Sequence, residues 1–153
     1  MYETCTTPRC TESCTDIDLT ALETYESLTG YYAVVEDYSY ATPPCTDACA
    51  SQNMTLLTDN IAAYGPASVC VDASTWNLYT GNGEILSQAA CGGFAYSDLD
   101  HCVQLTGFTS EYMVVRNSWA TDWGNNGYIY LQAGVNTCGV SNEATFVSLA
   151  AAN

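Results

Sequence analysis

The chain has 153 residues, 48% of them hydrophobic, with 17 acidic side chains against two basic ones and a formal net charge of −15. That length suits one domain with a real core, and the apolar content excludes a disordered chain. The acidic surface repels phosphate backbones and so disfavours nucleic-acid binding, while no apolar run reaches the roughly 18 residues of a membrane-spanning helix. Cationic partners or divalent ions would be favoured instead. Nine cysteines argue for an oxidising compartment, secreted, extracellular or lysosome-like. The sequon Asn53-Met54-Thr55, a candidate glycosylation site at Asn53, points the same way. Residues 1–16 carry Glu3, Arg9 and three cysteines, which cannot form the apolar core of a signal peptide. Either a leader is removed or the chain begins inside a longer product.

Residues 1–15 read as a cross-linked loop. From Asp18, the spacing of Leu19, Leu22, Tyr25 and Leu28 predicts an amphipathic helix, capped by Asp16 or Asp18 and ended by Gly30. Pro43 to Ala50 is a loop with Cys45 and Cys49. A second helix is predicted from about Met54 to Tyr64, stopped by Gly65-Pro66. Ala67 to Ala73 reads as a strand, Asn82-Gly83 as a hairpin-type turn between Tyr79 and Ile85, and Gly92-Gly93 as a loop.

Ser97 to Leu131 carries the chemistry. His101, the only histidine, heads an apolar run; Asn117-Ser118-Trp119 follows, then the glycine-bounded turn Trp123 to Gly127 and the strand candidate Tyr128 to Leu131. The pattern reads strand, turn, strand, loop, strand. It would set an imidazole at one strand start beside an amide at the next strand's end. In that geometry a carboxamide orients a histidine that serves a nucleophile.

Three segments carry a family resemblance: Asp100-His101 with its apolar strand, Asn117 to Gly124 followed by Gly127-Tyr128, and Asn136-Thr137-Cys138-Gly139-Val140. They resemble, in order, the histidine, asparagine and C-terminal Cys-Gly elements of papain-like cysteine peptidases. Tyr31 to Tyr40 is similar to that family's crossing strand, with Ser39 where proline is usual, and weaker similarity reaches back to about Asp16. The resemblance implies an α+β fold: a mostly antiparallel, barrel-like β lobe with one or two short helices. Residues 1–153 would form a single C-terminal lobe, with a Cys-rich stretch of helix and loops at 1–50 and a β-rich part at 51–153. It also implies His101 as general base, Asn117 as its orienting partner, and Trp119 as a shield over their hydrogen bond. No cysteine is followed by tryptophan, and Gln52 and Gln88 lack the context of the family's oxyanion glutamine. The chain therefore reads as the family's second half, without the nucleophile.

By the same resemblance Cys91 pairs with Cys138, and Cys45 with Cys10 or Cys14. Cys70 and Cys102 depart from the family: they stand where two neighbouring strands present small apolar residues to the main specificity pocket. A disulfide between them, plugging that pocket's wall, is expected, and a Cα separation above about 7 Å would exclude it. One cysteine among Cys5, Cys10, Cys14 and Cys49 is then left over. The pairs Cys10/Cys14 and Cys45/Cys49 have spacings compatible with zinc, but disulfides are the better reading, and no metal or cofactor is implied. Glu143 falls at the base of the pocket, where an acid would favour a basic substrate side chain. Neighbours on a strand face opposite ways, so Cys102 does not serve His101 as nucleophile, and Cys70 could do so only if unpaired.

Two functions compete. In the first the chain is a non-catalytic extracellular module for structure, assembly or binding. In the second it is the His/Asn half of an active cysteine endopeptidase completed by a separate Cys-bearing chain. In both, the apolar face that such a lobe turns to its other half needs a cover, so oligomerisation is expected, as a homo-oligomer or filament or with that second chain.

Overall fold

The computed structural model describes residues 35–149. The described residues belong to one compact unit; the helix expected after Asp18 lies outside the described residues. In this unit, helix α1 spans Met54–Tyr64. Its start is fixed by Asn53, whose side-chain oxygen accepts from the Leu56 N–H at 2.9 Å. Its end is set by Gly65, which adopts φ +91° and donates its N–H to the Ile61 carbonyl; Pro66 cannot continue the helix. Leu57 and Ile61, one turn apart, are the helix residues buried in the core. Replacing Asn53 with alanine orphans the Leu56 N–H and is expected to cost about 1 kcal/mol, read as a lower midpoint in urea unfolding with an unchanged slope.

The strands are β1 (Val35–Tyr40), β2 (Ala67–Val71), β3 (Ile85–Leu86), β4 (His101–Phe108), β5 (Tyr112–Arg116), β6 (Tyr128–Gln132) and β7 (Ala144–Leu149). They form one seven-stranded sheet in the order β1-β7-β2-β4-β5-β6-β3. Every pairing is antiparallel except that of β3 with β6, and β1 and β3 end the sheet without meeting. The sheet is thus open and mixed rather than a closed barrel.

Alternation along the strands decides which face each side chain takes. Val69 and Val71 of β2, Val103 and Leu105 of β4, Met113 and Val115 of β5, and Ile129 and Leu131 of β6 point into a core that also holds Leu57 and Trp76. The residues between them, including Cys70 and Cys102, face outward.

One local expectation is corrected. Asn82 and Gly83 do form a tight reversal, with φ of 60° and 79° and a bond from the Glu84 N–H to the Gly81 carbonyl. It is not a hairpin, because Trp76–Leu78 before it is a short 3-10 turn and offers no strand to pair. Ile85–Leu86 instead runs parallel beside β6. Gly81 packs so closely on the backbone of Gly124 that a Cβ there would lie 2.4 Å from its oxygen.

Candidate active site

His101 opens β4, opposite Val71 of β2. Asn117 follows the last residue of β5, and its backbone N–H donates to the Gly127 carbonyl at 2.9 Å, tying it to the glycine turn. The two side chains meet: His101 Nε2 lies 2.9 Å from Asn117 Oδ1. That oxygen also accepts the Ser118 N–H at 2.8 Å. A backbone N–H can only donate, so the shared atom must be the amide oxygen. Nε2 therefore carries the proton in the neutral ring, and Nδ1 is the nitrogen left with a lone pair. Asn117 is 8% exposed, and its Nδ2 is buried without a partner among the described residues.

All three tryptophans of the chain gather at this bond. Trp119 stacks on the imidazole, with ring centres 5.5 Å apart and planes at 23°. Trp76, fully buried, meets the imidazole edge-on at 6.3 Å and Trp119 at 6.4 Å, and stacks on Trp123 at 6.1 Å. Trp123 donates its indole N–H to the Trp76 carbonyl. The indoles of Trp119 and Trp76 thus flank the imidazole on its face and its edge. Trp76 was not singled out from the sequence: it lies in a short turn with neither helical nor strand period. The scarcity of tryptophan, with the other two in the Asn117 segment, was the signal that could have found it.

Beside His101 lies an open depression of about 410 Å³, lined by Cys70, Tyr96, Leu99, Asp100, His101, Cys102 and Glu143. It brings together the residues expected at the specificity pocket. Cys70 and Cys102 are directly opposed across β2 and β4 and joined by a disulfide, with Cα atoms 4.0 Å apart. Asp100 accepts the Ala73 N–H through Oδ1 at 2.8 Å. Glu143 follows a pinned loop: Asn142 donates to the Phe94 carbonyl and accepts from Asn136, which also donates to the Cys49 carbonyl. The Tyr40 hydroxyl is held above the ordinary phenol range by Tyr38 first, with Glu143 and Tyr96 among the further causes.

Cys91 and Cys138 form a second disulfide. Cys45 bonds Cys49 rather than Cys10 or Cys14. The physical reason is local: Cys49 takes a left-handed φ of 56°, which curls the five-residue loop and brings the Cα atoms to 5.7 Å. Each cysteine among the described residues is thus in a disulfide, and none offers a thiol to His101; Cys5, Cys10 and Cys14 lie outside them. Among the described residues no cluster of three or more His, Cys, Asp or Glu is placed to hold a metal ion, and no helix is long and apolar enough to cross a membrane.

The arrangement is a histidine bonded to an asparagine under an indole, beside a lined depression. Residues 10–148 match the papain family cysteine protease family, and the chain belongs to it. It is 36% identical over 100 residues to Cysteine proteinase 1 of Dictyostelium discoideum, an alignment covering 60% of this chain and 27% of that protein. It is 34% identical over 91 residues to Cathepsin O of Homo sapiens, covering 57% and 26%. The chain thus spans about a quarter of the length of these relatives. Among solved structures, the Carica candamarcensis cysteine protease CMS1MS2, in complex with E-64, is similar with a TM-score of 0.56 and 27% identity over 74% of this chain and 49% of that one. Digestive procathepsin L 3 of Tenebrio molitor larval midgut shares the fold, with a TM-score of 0.59 at 24% identity over 76% of this chain and 36% of that one.

Proposed function

We propose that this chain supplies the His/Asn half of a cysteine endopeptidase site whose thiol lies outside the described residues. His101 Nδ1 takes the thiol proton, and the thiolate attacks the peptide carbonyl. The imidazolium then returns the proton to the leaving amine. Asn117 holds the ring so that Nδ1 faces the thiol in every step, and Trp119 covers the bond that does this. The observation that carries this reading is the 2.9 Å contact of His101 Nε2 with an amide oxygen of fixed identity.

The test combines the purified chain with a thiol-bearing papain-family lobe and measures cleavage of a fluorogenic peptide. Cleavage is expected only in the mixture, blocked by a thiol-directed irreversible inhibitor and reduced by about 10²–10⁴-fold in His101→Ala. Activity indifferent to His101→Ala would refute the reading. Glu143 in the depression favours a basic substrate side chain. Glu143→Gln is expected to cut the preference for arginine over leucine by about fivefold, the worth of a half-exposed ion pair of about 1 kcal/mol.

A second reading, a non-catalytic extracellular assembly or binding module, is favoured by the Cys70–Cys102 bridge in the wall of the depression. Both readings place the chain in an oxidising compartment, secreted or lysosome-like, with a glycan on Asn53 of the exposed sequon. In both a partner covers Trp119, which is 38% exposed. Light scattering at micromolar concentration separates them: a module of this kind self-associates, whereas the half-enzyme acquires mass only with its thiol-bearing partner.

A further inference from the structure

The Cys70–Cys102 disulfide is placed unlike the other two. Cys138 is fully buried and Cys49 nearly so, which shields one sulfur of each of those bonds. Cys102 is exposed and Cys70 half-exposed, and both line the depression that holds Glu143 and Asp100. A dissolved thiol can therefore reach the Cys102 sulfur from solvent. The approach crosses a field set by those two carboxylates and by a net charge of −15. Arg116, the one arginine among the described residues, pairs with Gln104 on the same outward face but does not line the depression.

We propose that this bridge is a thiol-addressable modification site selective for small cationic thiols. The incoming thiolate attacks Cys102 Sγ; the Cys70–Cys102 bond breaks, and Cys70 leaves as a thiolate and takes a proton from water. Cys102 then carries a mixed disulfide whose ammonium group lies against Glu143. A second thiolate attacks the adduct's own sulfur; the bond to Cys102 breaks, and Cys102 leaves as a thiolate and takes a proton from water, giving two cysteine thiols and the small-molecule disulfide. The state of this bond decides whether the depression is walled by a bridge, filled by the adduct or lined by free thiols. The inference does not rest on the peptidase reading, since it concerns sulfur chemistry that needs neither His101 nor a second lobe.

The test treats the oxidised chain with 2-aminoethanethiol or 2-mercaptoethanesulfonate at matched thiolate concentration, alkylates at intervals, and maps the label by peptide mass. Cys70 and Cys102 are expected to open first. The cationic thiol should react about tenfold faster at low salt, and this advantage should largely vanish near 1 M salt, where screening acts within about 3 Å. Glu143→Gln should shrink the low-salt ratio at this bond while leaving that at Cys45–Cys49 unchanged. Earlier opening of Cys45–Cys49 or Cys91–Cys138, a ratio near one at low salt, or a ratio indifferent to Glu143→Gln would each overturn the proposal.

Discussion

Replacing Trp76 with alanine is expected to lower the stability of the unit by about 3–5 kcal/mol, the cost of emptying a large buried aromatic site. Trp76 has no exposed surface and packs against Trp123, Trp119 and His101 at once. Its indole N–H points at the Cys138 sulfur at 3.5 Å, so the cavity would open between the disulfide and the dyad. Its neighbours include His101 on a strand and Cys138 in a disulfide, so they can collapse into it only in part. Urea unfolding followed by far-UV circular dichroism measures the loss. Trp76→Phe, which keeps an aromatic filler, should lose much less, and a loss below about 1 kcal/mol in Trp76→Ala would mean that the site relaxes freely.

Removing the Asn117 side chain with Asn117→Ala is expected to lower kcat of the completed enzyme by about 10²-fold, the cost of misplacing a catalytic group by about 1 Å. KM should change little, since Asn117 contacts His101 and does not line the depression. Without the Oδ1 acceptor the ring keeps its stack on Trp119 but loses the bond that selects its tautomer and rotation. Steady-state kinetics on the mixture of chain and thiol-bearing lobe checks this. A rise in KM at constant kcat would instead make Asn117 a binding residue.

Much of this was legible in the sequence where a local signal and a tertiary demand agreed. Gly65-Pro66 as stop bounded the end of α1 because proline has no N–H to continue the helix, whereas the Asn53 cap emerged only in the structure. The His101 and Asn117 segments were readable because a strand start and a strand end placed two polar groups side by side, and the papain-like motifs named their roles. The Cys70–Cys102 bond was expected because the papain-like resemblance sets both cysteines on neighbouring strands at the specificity pocket, and the register pairs them directly. What was not legible lacked a period or a local cue. A two-residue strand such as Ile85–Leu86 has no alternation, and its parallel seat beside β6 comes from tertiary contacts: the Gly81–Gly124 approach, the Gly83 N–H on Asn125 Oδ1 and the Tyr79 hydroxyl on the Glu84 carbonyl. Cys45 was assigned a distant partner by resemblance, whereas a left-handed Cys49 gave it a near one. Trp76 joined the site through burial, which no pattern in Ala73–Leu78 announces.

The most direct measurement is nitrogen NMR of the neutral His101 imidazole in the purified chain. A ring held at Nε2 by the Asn117 oxygen must appear as the Nε2–H tautomer, with Nδ1 bare and ready to take a proton. Loss of that single tautomer in Asn117→Ala would complete the agreement. A wild-type ring protonated at Nδ1, with Nε2 bare, would put the base on the wrong nitrogen and contradict a site built to serve a thiol.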